Sequence, residues 1–86
     1  MEINKIEILK NICYTELVYG RINKKLNIDF SKKQIEKYLL KVLNETEIKH
    51  FIKKGKNYYV SNKKYKIRIT INSYTFRIIT VDKIKS

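Results

Sequence analysis

The sequence predicts an α+β fold in which two or three N-terminal helices pack on one face of a C-terminal antiparallel sheet of three to four strands. Apolar residues recur every three or four positions through about residues 1–46, which is typical of amphipathic helices. Over about residues 47–86 the period changes to two, which is typical of strands. A chain of 86 residues is the size of one domain, so we expect both halves to share a single core.

Two apolar stripes mark the first helical residues. The first has spacings of three and four: Ile6, Leu9, Cys13 and Leu17. The second is rotated from it: Val18, Ile22 and Leu26. The rotation predicts either a helix break near Thr15, which would cap a second helix, or one bent helix. Cys13 is expected to be a small core residue, and as the only cysteine it excludes an intrachain disulfide.

The third helix has a clear start signal. Ser31 and Gln34 have the spacing of a capping box, and Phe30 and Ile35 have the positions of a hydrophobic staple. The apolar face that follows is Ile35, Tyr38, Leu39, Val42 and Leu43. The lysines that lie mostly opposite are expected to be solvated: Lys32, Lys33, Lys37 and Lys41.

Strands are predicted near residues 56–61, 65–72 and 75–83, with a weaker one near 48–53. The short loops predict an antiparallel meander. With two-residue turns, the core face carries Tyr58, Val60, Ile67, Ile69, Ile71, Phe76 and Ile78. The other face carries Asn57, Tyr59, Ser61, Lys66, Arg68, Thr70, Asn72, Thr75 and Arg77, with Ile79 and Val81 at its far end. In this register Tyr59 lies opposite Arg68, and Arg68 lies opposite or diagonal to Arg77, so that an anion could bridge the two arginines.

The formal net charge of +12 is distributed unevenly. Residues 1–48 hold nine Lys or Arg and seven acids, whereas residues 49–86 hold eleven Lys or Arg and one acid, Asp82. Lys, Ile and Asn make up 40 residues, and their AT-rich codons could supply lysine without selection for function. Such a bias would act along the whole chain, so the asymmetry favours a basic surface that meets a polyanion.

The favoured function is nucleic-acid binding by the exposed face of the sheet, with RNA or another single strand as the ligand. Cations and a tyrosine on a sheet are typical of surfaces where phosphates meet Lys or Arg and bases stack on an aromatic ring. An ordinary solvated sheet face is the alternative. The predicted contact residues are Lys56, Tyr59, Lys64, Lys66, Arg68, Thr70 and Arg77.

An enzyme is the less favoured class. His50, the only histidine, could act as acid or base in metal-independent RNA cleavage, with Arg68 and Arg77 stabilising charge. Acids are too scarce in the C-terminal half for a two-metal site, and no phosphate-binding glycine loop occurs, so no metal or nucleotide cofactor is expected. No apolar run reaches membrane-spanning length and the N-terminus lacks a signal-peptide pattern, which predicts a cytoplasmic protein with no membrane partner.

The stretches NICYTELVYGRINKKL and KKGKNYYVSN…IRITINSYTFRIITVDKI resemble an uncharacterised family of small proteins from low-GC bacteria and their mobile elements, a domain of unknown function. That resemblance implies no activity. The closing strand TFRIITV is similar to the last strand of RelE/ParE-type toxins, which pack helices on an antiparallel sheet and act on ribosome-bound mRNA or on gyrase. It implies that Arg68, Arg77 and Thr80 lie where such folds place catalytic or substrate groups. Three helical segments, instead of a two-helix hairpin, depart from that pattern.

Three further alternatives stay open. In a winged helix, helix three would enter the major groove and the turn at 53–58 would be the wing. In a phage or plasmid inhibitor of the anti-CRISPR kind, the basic surface would meet a nucleic-acid-guided defence complex. A homodimer could form through the exposed edge of the last strand.

Overall fold

The computed structural model describes residues 3–84, which form three helices followed by a four-stranded antiparallel sheet of order β1-β2-β3-β4. The helices are α1 (Lys5–Asn11), α2 (Glu16–Leu26) and α3 (Lys32–Glu45), and a 3₁₀ turn follows at Ile48–His50. The strands are β1 (Phe51–Lys54), β2 (Asn57–Asn62), β3 (Ile67–Asn72) and β4 (Ile78–Lys83). The predicted α+β fold is confirmed. Within residues 3–84, every helix is too short or too polar to cross a membrane.

The helix starts agree with the sequence signals. Thr15 is the N-cap of α2, so the chain breaks where the apolar stripe rotates. At α3 the capping box is complete, because the Ser31 hydroxyl accepts a hydrogen bond from the Gln34 amide at 3.2 Å and the Gln34 side chain accepts one from the Ser31 amide at 2.8 Å. The α3 side chains that pack on the sheet are fully buried: Ile35, Leu39, Val42 and Leu43.

The predicted first apolar stripe is wrong. Ile6 and Leu17 are 75% and 82% exposed, and Cys13 is exposed, whereas Ile8 is fully buried. The chain leaves helical geometry after α1, so residues on the two sides of the break do not share one helical face. Cys13 instead forms a short parallel bridge, in which its amide donates to the Phe76 carbonyl and its carbonyl accepts from the Ile78 amide.

The register between β2 and β3 differs by two residues from the prediction. The turn has four residues, 63–66, because the Asn62 side chain accepts a hydrogen bond from the Tyr65 amide at 3.0 Å and closes a wider loop. Val60 therefore lies opposite Ile69 instead of Ile67. An even shift keeps the β2 and β3 side chains on their predicted faces. In β4 the prediction is wrong for Val81, because a register shift between Thr70 and Ile71 of β3 turns Val81 into the core opposite Ile69.

Arg68 and Arg77 do not pair across the sheet, contrary to the prediction. The Asn72 side chain accepts hydrogen bonds from two turn amides, Phe76 has a left-handed φ of 60°, and β4 begins only at Ile78. Arg77 therefore precedes the strand, and Arg68 lies opposite Asp82.

The edge of β4 that does not pair with β3 is partly covered by the helical layer. The Arg21 side chain donates to the Ile79 carbonyl at 3.3 Å, Lys25 binds Asp82 at 2.8 Å, and Cys13 bridges to Arg77. Much of the edge that was expected to be open to a second copy is thus contacted by α2 and the segment before it. The other edge of the sheet is the short strand β1.

Candidate nucleic-acid interface

The face of the sheet opposite the helices carries three cross-strand rows, which we call the outer face. The first row is Lys54, Asn57 and Asn72. The second is Ile52, Tyr59, Thr70 and Thr80. The third is Ser61, Arg68 and Asp82. Neighbouring strands lie about 4.8 Å apart and successive rows about 7 Å apart, so an extended chain could contact several rows at once.

Arg68 is the exposed cation at the centre of the third row. Ser61 and Asp82 flank it, but none of the ion pairs among residues 3–84 includes Arg68. The Asp82 carboxylate binds Lys25 instead. The Arg68 guanidinium therefore keeps its five donors for an anion from solution.

Tyr59 and Ile52 form the apolar part of the outer face. They are direct cross-strand partners; Tyr59 is half-buried and Ile52 is 59% exposed. The alternation of β2 places the Tyr59 ring on this face, and its hydroxyl accepts a long hydrogen bond from the Asn57 side chain at 3.4 Å. Thr70, a predicted contact, is only 5% exposed, so a phosphate could reach it only if its neighbours moved.

The β1–β2 turn and the β3–β4 turn meet at one end of the sheet, which we call the turn end. The Ser73 amide donates to the Lys56 carbonyl at 2.7 Å and so ties the two turns together. Gly55 has a φ of 62°, a left-handed conformation that a side chain would strain. Three exposed cations, none of them in an ion pair among residues 3–84, are gathered here: Lys54, Lys56 and Arg77.

Tyr74 is a residue of this surface that the sequence patterns did not predict as a contact. It is 71% exposed at the turn end, and the Asn72 side chain holds its backbone by accepting from its amide at 2.8 Å. The available signal was an aromatic residue in a short turn between two strands, where the side chain cannot reach the core. Lys54 was not predicted as a contact either, because Lys54-Gly55 indicates only a turn between strands.

Lys64 and Lys66 lie at the opposite end of β2 and β3 from Lys56 and Arg77, in the four-residue turn. Six strand residues span roughly 20 Å, so the predicted contacts do not form one cluster. Lys64 binds Glu45 at 3.2 Å, and that hydrogen bond raises the Lys64 pKa. It also lies 5.3 Å from the centre of the Tyr65 ring, so an anion would have to compete with existing contacts.

His50 is half-buried at the end of the 3₁₀ turn. It lines a shallow depression of about 200 Å³ with Ser61, Glu45 and Glu47 among its walls. Extending the β1–β2 register by one residue brings His50 beside Ser61, which faces Arg68. In this register His50 and Arg68 flank Ser61 from its two sides, although Arg68 does not line the depression, and Arg77 lies at the other end of the sheet. Among residues 3–84, no three His, Cys, Asp or Glu side chains gather as metal ligands would.

All acids of residues 3–84 except Asp82 lie between Glu7 and Glu47, in the helical half of the chain. The four ion pairs of these described residues are Lys25–Asp82, Lys32–Glu16, Lys49–Glu47 and Lys64–Glu45. No acid occurs between residues 48 and 81, the stretch that forms β1, β2, β3 and both turns of the turn end. The outer face and turn end consequently carry an excess of positive charge.

The comparisons identify a family and supply no function. Residues 6–82, from α1 to near the end of β4, match the family described as "Protein of unknown function (DUF3781)". Searches among curated proteins and among solved structures find no match to the chain. Because the match covers nearly all of the fold, the chain belongs to the DUF3781 family of proteins of unknown function.

Proposed function

We propose that this protein is a small basic nucleic-acid-binding protein, which holds RNA or another single strand across its outer face and turn end. One observation carries the proposal: four exposed cations on this surface have no ion-pair partner among residues 3–84. They are Lys54, Lys56, Arg68 and Arg77. Cations of this kind bind phosphates and release the counterions that surround a nucleic acid, which favours association.

The aromatic residues favour a single strand as the ligand. Tyr59 beside Ile52, and Tyr74 at the turn end, offer ring surface next to these cations. Bases can stack on such rings only when they are not already stacked and paired in a duplex. The combination therefore fits an unpaired strand better than a helix.

The proposal is tested by titrating a fluorescently labelled single-stranded RNA with the protein and measuring anisotropy at two salt concentrations. Four phosphate contacts on a single strand predict a fall in affinity of roughly fiftyfold between about 50 and 200 mM salt. A matched duplex is expected to bind more weakly. Absence of binding at the lower salt would contradict the proposal, and would leave the basic surface to a protein partner such as a nucleic-acid-guided defence complex.

A second candidate, a metal-independent ribonuclease of the RelE kind, rests on the grouping of His50 and Arg68 around Ser61. Histidine can move the proton of an attacking 2′-hydroxyl, and arginine can stabilise the charge that develops on the phosphate. This candidate ranks second because Arg68 does not line the depression that holds His50.

The two candidates separate on a denaturing gel of the titration samples. Cleaved RNA, with cleavage lost and binding kept in His50→Ala, would support the nuclease. Intact RNA after prolonged incubation with excess protein would exclude it and leave the binding function.

A further inference from the structure

An apolar pocket of about 400 Å³ opens at the end of the sheet that lies opposite the turn end. It lies where the α2–α3 loop meets the β2–β3 turn and the end of β4. Its apolar walls come from four aliphatic and three aromatic residues: Leu26, Ile28, Ile67, Ile84, Phe30, Tyr38 and Tyr65. Ligand pockets in proteins have volumes from about 300 Å³, so this one is large enough for a small molecule and too small for a dinucleotide cofactor.

The walls of the pocket are held in place by specific contacts. The Tyr38 ring packs edge-on against both Phe30 and Tyr65, with centroid distances of 5.9 Å in each case. The Asn23 side chain donates to the Phe30 carbonyl at 3.0 Å and accepts from the Phe30 amide at 3.1 Å, which fixes the loop onto α2. The pocket is therefore formed before any ligand arrives.

Two cations line the mouth of this pocket. Lys83 lies opposite Ile67 on the core face of the sheet, and Lys66 lies in the adjoining turn with a left-handed φ of 58°. The Ile84 amide donates to the Lys66 carbonyl at 2.9 Å and ties the two sides together. Both lysines are exposed, and neither takes part in an ion pair within residues 3–84.

We infer that this pocket binds a small amphipathic carboxylate, such as a medium-chain or aromatic acid. The apolar body would lie against the three rings, and the carboxylate would meet Lys66 and Lys83 at the mouth. The charge at the mouth decides the class, because two ammonium groups attract an anionic head group and repel a cationic one, whereas a neutral head group gains no ion pair. The pocket opens on the core side of the sheet, so this site is separate from the outer face.

The test uses the full chain, labelled with ¹⁵N, and three probes that differ only in the head group: octanoate, octanol and octylamine. Octanoate is expected to shift the amide signals of residues 65–67 and 84, and to bind roughly threefold to fivefold more tightly than octanol, the range that exposed ion pairs supply. Octylamine is expected to bind more weakly than either. A preference for octylamine or octanol over octanoate would overturn the inference.

Matched variants locate the head-group contact. Lys66→Gln with Lys83→Gln should remove the preference for octanoate over octanol, whereas Lys33→Gln with Lys37→Gln, which removes the same charge from the exposed face of α3, should keep it. These lysines are exposed, so both variants are expected to fold. Equal loss in both variants, or octanoate shifts that fall outside the pocket, would contradict the assignment.

Discussion

Arg68 and Asp82 lie directly opposite each other on β3 and β4, yet the Asp82 carboxylate binds Lys25 of α2 at 2.8 Å. Lys25 thereby engages the one acid of residues 49–86. Arg68 has no ion-pair partner among residues 3–84 and can meet an external anion. Through Lys25, the helical layer thus neutralises an acid of the outer face.

Removal of the Asp82 charge should strengthen RNA binding. Asp82→Asn is expected to tighten the Kd by about twofold to fivefold at low salt, because one negative charge next to Arg68 disappears. Fluorescence anisotropy measures the Kd for single-stranded RNA. Glu16→Gln is the matched control: it removes an acid that pairs with Lys32 on the helical side, and it should change the Kd little. Equal tightening in both variants would show that net charge alone matters.

Tyr59 should contribute by stacking. Tyr59→Ala is expected to weaken single-stranded RNA binding by at least about fivefold, since stacking of one base contributes about 1–3 kcal/mol. Tyr59→Phe keeps the ring and should bind within about twofold of the wild-type protein, because the 3.4 Å hydrogen bond to Asn57 is weak. An alanine variant that folds and binds normally would exclude Tyr59 from the interface.

The buried Asn62 side chain should stabilise the fold. It is 7% exposed, donates to the Thr46 hydroxyl at 2.8 Å and accepts from the Tyr65 amide at 3.0 Å. Asn62→Ala is expected to lower the free energy of unfolding by about 1–3 kcal/mol, because Thr46 loses a buried hydrogen bond and the Tyr65 amide loses a partly buried one. Urea denaturation measures this free energy. Asn57→Ala, at a half-buried position, is the control and is expected to lower it less. A loss in Asn62→Ala no larger than the control would refute this role.

Glu45 should make stability depend on pH. The Tyr65 hydroxyl and the Lys64 ammonium lower the pKa of this carboxylate below its usual 4.5. The stabilisation of the folded state by the Glu45 carboxylate is therefore present above the unfolded-state pKa. It is lost as the pH falls through the lower folded-state pKa. Glu45→Gln should be less stable than the wild-type protein at about pH 7, and the difference should vanish at about pH 2. A difference that persists unchanged under acid would contradict the linkage.

The helices and strands were predictable where several local sequence signals agreed. The capping box at Ser31 fixed the start of α3, and the alternation of residues in β2 and β3 fixed the two faces of the sheet. The alternation of residues does not predict turn lengths or strand register. Side-chain hydrogen bonds determine both. Asn62 widened one turn and shifted the register, and Asn72 organised the other turn and kept Arg77 out of β4.

The candidate site was only partly predictable for the same reason. Arg68 and Tyr59 lie on the predicted face, because a shift by two residues preserves faces. The predicted cross-strand pair of arginines depended on the exact register and does not form. The pairing of Asp82 with Lys25, 57 residues away along the chain, is a tertiary contact that no local pattern indicates.

The most direct test of the central claim compares two triple variants of equal charge. One changes Lys56, Arg68 and Arg77 to Gln; the other changes Lys33, Lys37 and Lys41, on the exposed face of α3, to Gln. Each lowers the formal net charge from +12 to +9. The salt dependence of single-stranded RNA binding is measured for both by anisotropy.

The sheet variant is expected to reduce the slope of log K against log salt by about 2 and to weaken binding strongly at low salt. The α3 variant is expected to keep a slope close to that of the wild-type protein. Equal losses would mean that the RNA responds to net charge without a defined surface. A larger loss in the α3 variant would contradict the account and would move the contact to α3, as in a winged helix.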